Sequence, residues 1–428
     1  MCSRLIPMVV FLLLTRVVLG QAPASSPPSQ PSVQELLDRI EQLEKRVSEL
    51  EGGGRKPAAT PTAGLQAVPA PAASEPAGTP PAPHDHEQTI NNAQVQQAEM
   101  HYPSLQVRGF ADVDFSATDQ KGSNSGFNMG QFVLHFASAL SGKVSYFGEV
   151  SFTAAPSTYD LAVERSIIRY DYNDYFKVSF GKYHTPLGYW NAAFHHGAWL
   201  QTTISRPEMV RVGGSLIPIH FVGAQVEGNV PSGGLGLGYS VGLGNGRSSP
   251  FSKAGDSGDL NSNRAWVASL FARPARLYGL QVGGSFYGDK LSTNPGTYFN
   301  EWIAAADVVW TKEHPEFLAE YANVHHRDVA TSQTFNTTSY YVQVAYRLPW
   351  RASKWKPYYR FEYIHRPGIE PVWDFSTVPG VVDLVGSSVG VRYDITNFAA
   401  FKGEYRHARR GVNEPDVNGA FFQTAFTF

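Results

Sequence analysis

The sequence has one cysteine in 428 residues, and it stands at position 2. Cys2 precedes the expected export cleavage site, so we expect the mature chain to hold no thiol and no disulfide. This excludes zinc–thiolate sites, thiol nucleophiles and disulfide scaffolds. Positive charge is not in excess either, because 35 Lys and Arg stand against 37 Asp and Glu. A protein that binds nucleic acid by neutralising phosphates is therefore excluded.

Long apolar runs are also missing after residue 20. None reaches the roughly 18 residues that a membrane-spanning helix requires, and a mean hydropathy of −0.24 argues against a helical membrane bundle. The histidines have no fixed serine partner with which to form a catalytic triad. We therefore expect no enzyme activity and no cofactor.

The first hundred residues predict export and oligomerisation rather than a folded core. Residues 1–20 are typical of a signal peptide, with Arg4 before an apolar run, and 21–31 form a spacer. Residues 32–51 predict a coiled coil, since three heptads carry apolar a and d positions, with a lone amphipathic helix as the alternative. The a and d residues are Val33, Leu36, Ile40, Leu43, Val47 and Leu50. Residues 52–100, rich in Pro and Ala, predict a disordered linker.

From residue 101 apolar and polar residues alternate in stretches of about ten, the length of a tilted membrane strand. Near the end of the chain, for example, Phe401 and Tyr405 alternate with Lys402, Glu404 and Arg406. A soluble sandwich alternates in the same way, but aromatic residues near both ends of many strands suit the girdles of a transmembrane barrel. A soluble β-propeller or β-helix is a further alternative, disfavoured because no repeat of either kind occurs.

Long and short breaks between these stretches alternate along the chain. Sixteen strands result, with both chain ends at the short-turn edge, which is the topology of an outer-membrane barrel. We therefore predict an all-β fold, a 16-stranded antiparallel transmembrane β-barrel over 101–428, preceded by the short coiled-coil helix and the linker. The long connections are expected at 116–126, 154–159, 184–217, 246–262, 289–299, 327–337, 367–380 and 409–418.

Three segments carry a resemblance to a known family: Gly181-Lys182-Tyr183-His184-Thr185-Pro186-Leu187-Gly188, Ser205-Arg206-Pro207, and Phe221 to Gly228. With the export signal, the coiled coil and a terminal Phe428, the chain resembles Gram-negative outer-membrane porins of the phosphate-selective O/P superfamily. It is most similar to members with an N-terminal periplasmic coiled coil, the dicarboxylate-type porins. The resemblance implies a homotrimer whose third loop, here 184–217, folds into the lumen.

The barrel departs from the phosphate-specific members of that family in its charge. Positions 1–100 hold 7 basic and 10 acidic residues, which leaves 28 basic against 27 acidic residues in 101–428. Phosphate-specific members line their pores with a ladder of arginines and lysines, whereas this barrel is close to neutral. Selectivity for phosphate is therefore not implied.

Two groups of side chains are candidates for a pore. In the 184–217 loop they narrow the lumen and set its local field, or else the loop packs over the mouth or against a neighbouring subunit. On the strands, parity predicts an inner wall of opposed charges, which either shapes the field or holds the wall rigid. The loop candidates are His184, His195, His196, Arg206, Glu208 and Arg211, and the wall candidates are Arg347, Arg360, Glu362, Arg392, Lys402, Glu404 and Arg406.

The adjacent pairs His195–His196 and His325–His326 are not expected to hold a metal. Neighbouring residues of a strand point to opposite faces, so each pair would offer one ligand rather than two.

The sequence as a whole favours a passive outer-membrane channel for small hydrophilic solutes, with anions such as phosphate or dicarboxylates as candidates. The expected partners are outer-membrane lipid, lipopolysaccharide and two further copies of the chain, with the coiled coil in the periplasm and no nucleic acid. Two alternatives are a structural anchor that links the outer membrane to the periplasm or peptidoglycan, and an outer-membrane hydrolase. Ion conductance separates the channel from both.

Overall fold

The computed structural model describes residues 103–428 except for 195, 250, 295 and 376–380. The expected signal peptide, spacer, coiled coil and linker all lie outside the described residues. Within the described part of the chain, no helix has the length and apolar character needed to cross a membrane.

The described residues form sixteen antiparallel strands that close into a barrel. Closure joins β1 to β16, from Phe110 opposite Thr427 to Thr118 opposite Gly419. This confirms the predicted fold class and strand number. The strands are β1 (Ser104–Thr118), β2 (Gly126–Ala139), β3 (Val144–Ala155), β4 (Thr158–Asn173), β5 (Phe176–His184), β6 (His220–Val230), β7 (Leu237–Asn245), β8 (Ala265–Ala272), β9 (Leu280–Asn294), β10 (Thr297–Trp310), β11 (Glu316–Asp328), β12 (Thr334–Ala345), β13 (Trp355–His365), β14 (Leu384–Thr396), β15 (Ala399–Arg410) and β16 (Asp416–Thr427).

Two short α-helices lie in connections between strands, α1 (Tyr189–Ala193) and α2 (Pro371–Phe375). Single 3-10 turns occur at Glu208–Val210, Gly233–Leu235 and Trp350–Ala352. The helices are too short to form a layer of their own, so the sheet is the scaffold for every other element.

Alternation along the strands sorts side chains between the two faces of the barrel. In β15, Phe401 and Tyr405 are exposed while Lys402 and Glu404 are buried, and in β12 Val344 is exposed while Gln343 is buried. Apolar side chains therefore cover the outside and polar ones fill the inside. A closed sheet pairs its backbone amides between strands, which allows such an outer face to meet an apolar medium without unpaired polar groups.

The predicted alternation of long and short connections is correct at the three longest breaks and wrong at three others, one of which is 329–333, shorter than the connection 346–354 that follows it. The longest connections are 185–219, 246–264 and 366–383. In contrast, β3 and β4 are joined by 156–157, and β9 and β10 by 295–296. The strand pairing continues to these turns, with Ala155 opposite Thr158. Polar residues near the strand ends resembled a loop in the sequence although their backbone stays in the sheet.

Gly181 of β5 explains the first glycine of the 181–188 motif. Its φ of 146° lies in a region that favours glycine, and a Cβ there would lie 1.9 Å from the Ser166 carbonyl oxygen of β4. The two strands can approach this closely only because residue 181 has no side chain.

We expect Gly181→Ala to lower the free energy of unfolding by about 1–3 kcal/mol, because overpacking and strained backbone act together. Thermal unfolding in detergent, followed by circular dichroism, measures the change. Gly126→Ala is the matched control, since nothing lies within 4 Å of the position its Cβ would take. Equal unfolding temperatures for both variants would contradict this account.

Candidate functional site

The connection from β5 to β6, residues 185–219, is the longest in the described part of the chain. It replaces the predicted loop 184–217, because His184 is still paired with His220 across β5 and β6. His184 is therefore the last residue of a strand and not a loop residue, which corrects its predicted placement. Two groups of its contacts, described next, are with strands β11 to β15, and a third group is with strands near its own ends.

The first group of contacts joins α1 to β11. The backbone N–H groups of Tyr189 and Trp190 each donate to the Glu320 carboxylate at 2.8 Å, and the Tyr341 hydroxyl donates to it at 2.5 Å. Trp190 is fully buried, with its ring edge-on to Tyr341 at 5.9 Å between centroids. A Cβ on Gly188 would lie 2.2 Å from a Glu320 oxygen. The second glycine of the 181–188 motif thus lets the backbone reach this carboxylate.

The second group of contacts binds the backbone of residues 198–206, and we call it the carbonyl clamp. It consists of three buried cations, Arg360 of β13, Arg392 of β14 and Lys402 of β15, together with the carbonyl oxygens that they contact. Arg392 donates to the carbonyls of residues 199 and 201 at 2.6 and 2.9 Å, and Lys402 to those of 198 and 203 at 2.5 and 3.0 Å. Arg360 donates to those of 205 and 206 at 2.8 and 3.2 Å.

Two carboxylates complete the clamp from the same wall. Glu404 accepts the Ile204 N–H at 3.1 Å and the Ser205 hydroxyl at 3.0 Å. Glu362 pairs with Arg360 at 2.7 Å and accepts the Glu208 N–H at 2.5 Å. Both signs of charge on the wall therefore bind the connection: the cations donate to its carbonyl oxygens, and the carboxylates accept from its N–H groups and a hydroxyl.

Three arginines near the clamp keep part of their side chains exposed. Arg211 and Arg410 both pair with Glu208, at 2.8 and 2.5 Å, and their side chains are 37% and 48% exposed. Arg406 pairs with Glu404 at 2.5 Å and is 29% exposed. One carboxylate shared by two arginines leaves a local excess of positive charge.

Arg206 and Arg347 are placed differently from these arginines. The Arg206 side chain donates to the Val210 carbonyl at 3.0 Å. Burial lowers the pKa of Arg206 to about 10, although the negative charges of Glu164 and Glu149 raise it. Arg347 follows the end of β12 and pairs with Glu313 at 2.5 Å and Asp394 at 2.6 Å. It belongs to an ion-pair network at the short-turn edge rather than to the clamp.

Histidines and carboxylates gather where β3, β4 and β5 meet the connection. Glu149 of β3 lies 2.5 Å from Arg165, 3.0 Å from His135 and 3.4 Å from His184. His196 lies beside this group, with its ring 6.4 Å from that of His184. His195 lies outside the described residues.

A second connection, 366–383, also contacts the inner wall. His326 of β11 lies between Glu301 at 2.9 Å and Glu370 at 3.1 Å, and the Trp373 ring packs on it at 4.7 Å. Glu301 in turn pairs with Arg247 at 2.8 Å, and this guanidinium donates to the carbonyls of residues 215 and 216. The neighbouring His325 lies on the other face, 5.4 Å from Trp302.

Sequence reasoning did not single out several residues on which this arrangement depends. Glu320, Arg247 and Glu301 are inward residues of strands or their edges, and strand parity could place the first and last of them inside. No spacing along the chain indicates which connection would reach them. Glu149, Glu164 and His220 were likewise not singled out, because their partners come from other strands.

No family model and no curated protein matches the sequence. Solved structures are similar in fold. An anion-selective porin from Comamonas acidovorans has a TM-score of 0.56 at 10% identity, covering 76% of this chain and 100% of that one. The outer membrane channel DcaP of Acinetobacter baumannii has 0.54 at 13%, covering 76% and 97%. The trimer form of OmpT, an outer membrane protein of Vibrio cholerae, has 0.52 at 14%, covering 77% and 100%.

We expect Arg360→Met to loosen residues 198–206 while the barrel stays closed. Removing one partner of a buried ion pair costs about 3–5 kcal/mol, and here the carbonyls of residues 205 and 206 also lose their donor. Hydrogen–deuterium exchange of the 198–206 amides should become at least tenfold faster.

Arg264→Met is the control for the clamp, because it removes the same charge from a side chain that is 49% exposed and pairs with Asp259. It should leave exchange in 198–206 unchanged. Unchanged exchange in Arg360→Met as well would show that the clamp does not hold this segment.

Proposed function

We propose that this protein is a passive diffusion channel of the bacterial outer membrane for small hydrophilic solutes. The observation that carries the proposal is the connection 185–219, which is bound by Glu320 of β11 and by cations of β13 to β15. Strands β13 to β15 lie across the barrel from β5 and β6, and β11 lies part of the way round from β6. A segment fixed in this way narrows the interior, and its polar groups then select what passes.

The two faces of the barrel support the same function. Exposed aromatic and aliphatic side chains, such as Phe401 and Val344, suit contact with lipid, and lipopolysaccharide is the expected neighbour in an outer leaflet. Arg360, Lys402 and Glu404 on the other face would cost several kcal/mol each if they faced hydrocarbon. Two proteins of similar structure, an anion-selective porin and an outer membrane channel, support this assignment.

We further propose a preference for anions, carried by Arg211, Arg406 and Arg410. These are the basic side chains near the clamp that stay partly exposed, and Glu208 is shared by two of them. In a narrow aqueous constriction the effective dielectric is below that of water, so a small excess of positive charge attracts anions more than it would on an open surface. Arg360, Arg392 and Lys402 are engaged by the loop backbone and contribute less.

The assembly that we propose is a homotrimer in the phosphate-selective O/P superfamily, with the N-terminal coiled coil of 32–51 in the periplasm. It rests on the resemblance of the 181–188 motif and on the heptads, and OmpT of Vibrio cholerae is described in a trimer form. The coiled coil would bring the N-termini of the copies together on the periplasmic side.

A hydrolase is less well supported by the arrangement of the serines. Ser240 and Ser388 stand at the centre of Gly-x-Ser-x-Gly spacings, but they lie within β7 and β14. A nucleophile of that motif sits on a sharp turn between a strand and a helix. Conductance without esterase or phospholipase turnover separates a channel from a hydrolase, and any conductance separates it from a structural anchor.

We expect the purified protein to conduct ions in planar bilayers, and Arg211→Ala with Arg410→Ala to shift its reversal potential in a salt gradient towards cations. The shift should shrink at high salt, since screening acts over about 8–10 Å near physiological ionic strength. Arg276→Ala with Arg351→Ala is the matched control, because both residues are exposed in short connections. Absence of ion current through the bilayer would contradict the proposed channel function. An unchanged reversal potential in the double variant would show that these two arginines do not set the selectivity.

We expect an epitope inserted at Ser257 to bind antibody on intact cells, because it lies in the long connection 246–264. The same epitope inserted at Asp174, in the short connection after β4, should bind only after the outer membrane is permeabilised. Signal from intact cells at Asp174 would reverse the proposed orientation.

A further inference from the structure

One carboxylate and two imidazoles converge between the connection and the wall of the barrel. Glu164 of β4 lies 3.3 Å from Nε2 of His196 and 3.0 Å from Nε2 of His220, one oxygen facing each ring. One ligand atom from each residue can be chosen so that all three lie within 4.8 Å of one another. They come from three separate places: β4, the connection 185–219 and the first residue of β6.

We propose that Glu164, His196 and His220 form a binding site for a divalent transition metal ion, with Zn²⁺ as the best fit. Two imidazole nitrogens and one carboxylate oxygen are a ligand set that zinc uses when a fourth position is left to water. Bonds of about 2.0–2.2 Å place two ligand atoms of a tetrahedral zinc site roughly 3.3 Å apart. The two observed separations are close to that value but involve different oxygens of Glu164, and the three chosen ligand atoms lie within 4.8 Å of one another, so binding would draw the ligands closer together.

Neighbouring groups already hold two of these ligands in the required orientation. Gln131 lies 3.1 Å from Nδ1 of His196 through its side-chain oxygen, which can only accept. The Nδ1 proton of His196 is donated to Gln131, so Nε2 faces Glu164 and is the nitrogen that would bind the metal once its own proton has left. The Ser151 hydroxyl donates to Glu164 at 2.6 Å. Hydrogen bonds of this kind commonly orient the histidine and carboxylate ligands of metal sites.

Burial and charge are compatible with an ion entering from the side of His220. The His220 side chain is 11% exposed, against 8% for Glu164 and none for His196. Arg206 and Lys182 are the cations that act on these residues, and Lys182 is paired with Asp256 at 2.9 Å. The ion would therefore be held by its three protein ligands rather than by a large excess of negative charge around the site. Imidazole donors suit zinc, copper and nickel better than magnesium or calcium.

A metal at this position would cross-link the connection to the wall near its start. His196 precedes residues 198–206 of the carbonyl clamp, so the ion and the clamp would hold the same stretch from opposite sides of the barrel. The adjacent histidine pairs of the sequence are not themselves the site. Only His196 of those pairs takes part, and its two fellow ligands come from strands.

The proposal is tested on the full chain in detergent, carrying His84→Gln and His86→Gln to remove the histidines of the N-terminal tail. Calorimetric titration with Zn²⁺ should show one site per chain. His196→Gln, His220→Gln and Glu164→Gln should each lower its affinity at least 100-fold. Gln131→Ala should lower it about tenfold, the loss typical of an outer partner of a ligand. These measurements do not depend on whether the protein conducts ions.

Controls separate this site from other histidines and from misfolding. His325→Gln, on the outer face of β11, should leave zinc affinity unchanged. His196→Gln changes a residue outside the strands, so the barrel should form even if the strand variants do not fold. Co²⁺ in place of Zn²⁺ should give the visible absorption of a tetrahedral site in the parent and lose it in His196→Gln. Equal zinc affinity in the parent and in all three ligand variants would overturn the proposal.

The cross-link has its own measurement, trypsin cleavage after Arg211 in the same connection. Zn²⁺ should slow this cleavage in the parent, a chelator should restore the original rate, and His220→Gln should show no effect of the metal. Zinc binding with an unchanged cleavage rate would refute the cross-link.

Discussion

The arrangement inside this barrel depends on hydrogen bonds between buried cations of the wall and backbone carbonyls of residues 198–206. A segment taken out of water needs partners for its backbone N–H and C=O groups, since each one left unpaired costs a free energy comparable to a lost hydrogen bond. This segment forms neither helix nor strand, so it supplies few of these partners itself. Arg360, Arg392 and Lys402 supply donors at 2.5–3.2 Å.

The same bonds stabilise the cations. A buried guanidinium or ammonium is costly unless it is paired and hydrogen-bonded, and Lys402 meets two backbone carbonyls and the Gln423 side chain. The loop and the inner wall are thus each incomplete without the other. This reciprocal need explains why Arg360, Arg392 and Lys402 of the inner wall are engaged, while Arg211 of the connection and Arg410 at the end of β15 remain partly exposed.

The sequence predicts the barrel well because alternation and closure are properties of single strands and their number. Phe401, Lys402 and Glu404 took the faces that strand parity assigned to them. The sequence predicts the connections less well, because the polar end of a strand, such as the one that begins at Thr158, has the same residue composition as a loop. Contacts between distant segments, such as Glu320 with Trp190 or Glu164 with His220, cannot be predicted, because no local sequence pattern depends on which residues meet in the folded barrel.

The carbonyl clamp recognises atoms that every amino acid carries. A substitution at position 199 or 201 keeps its carbonyl oxygen, and with it the hydrogen bond from Arg392. The side chains at these two positions can therefore change without loss of those hydrogen bonds, whereas Ser205 also contributes its hydroxyl to Glu404. In the proposed channel, such a scaffold would let the side chains at positions 199 and 201 change during evolution while the path of the chain stays fixed, and the same property would make these two positions suitable for engineering permeability.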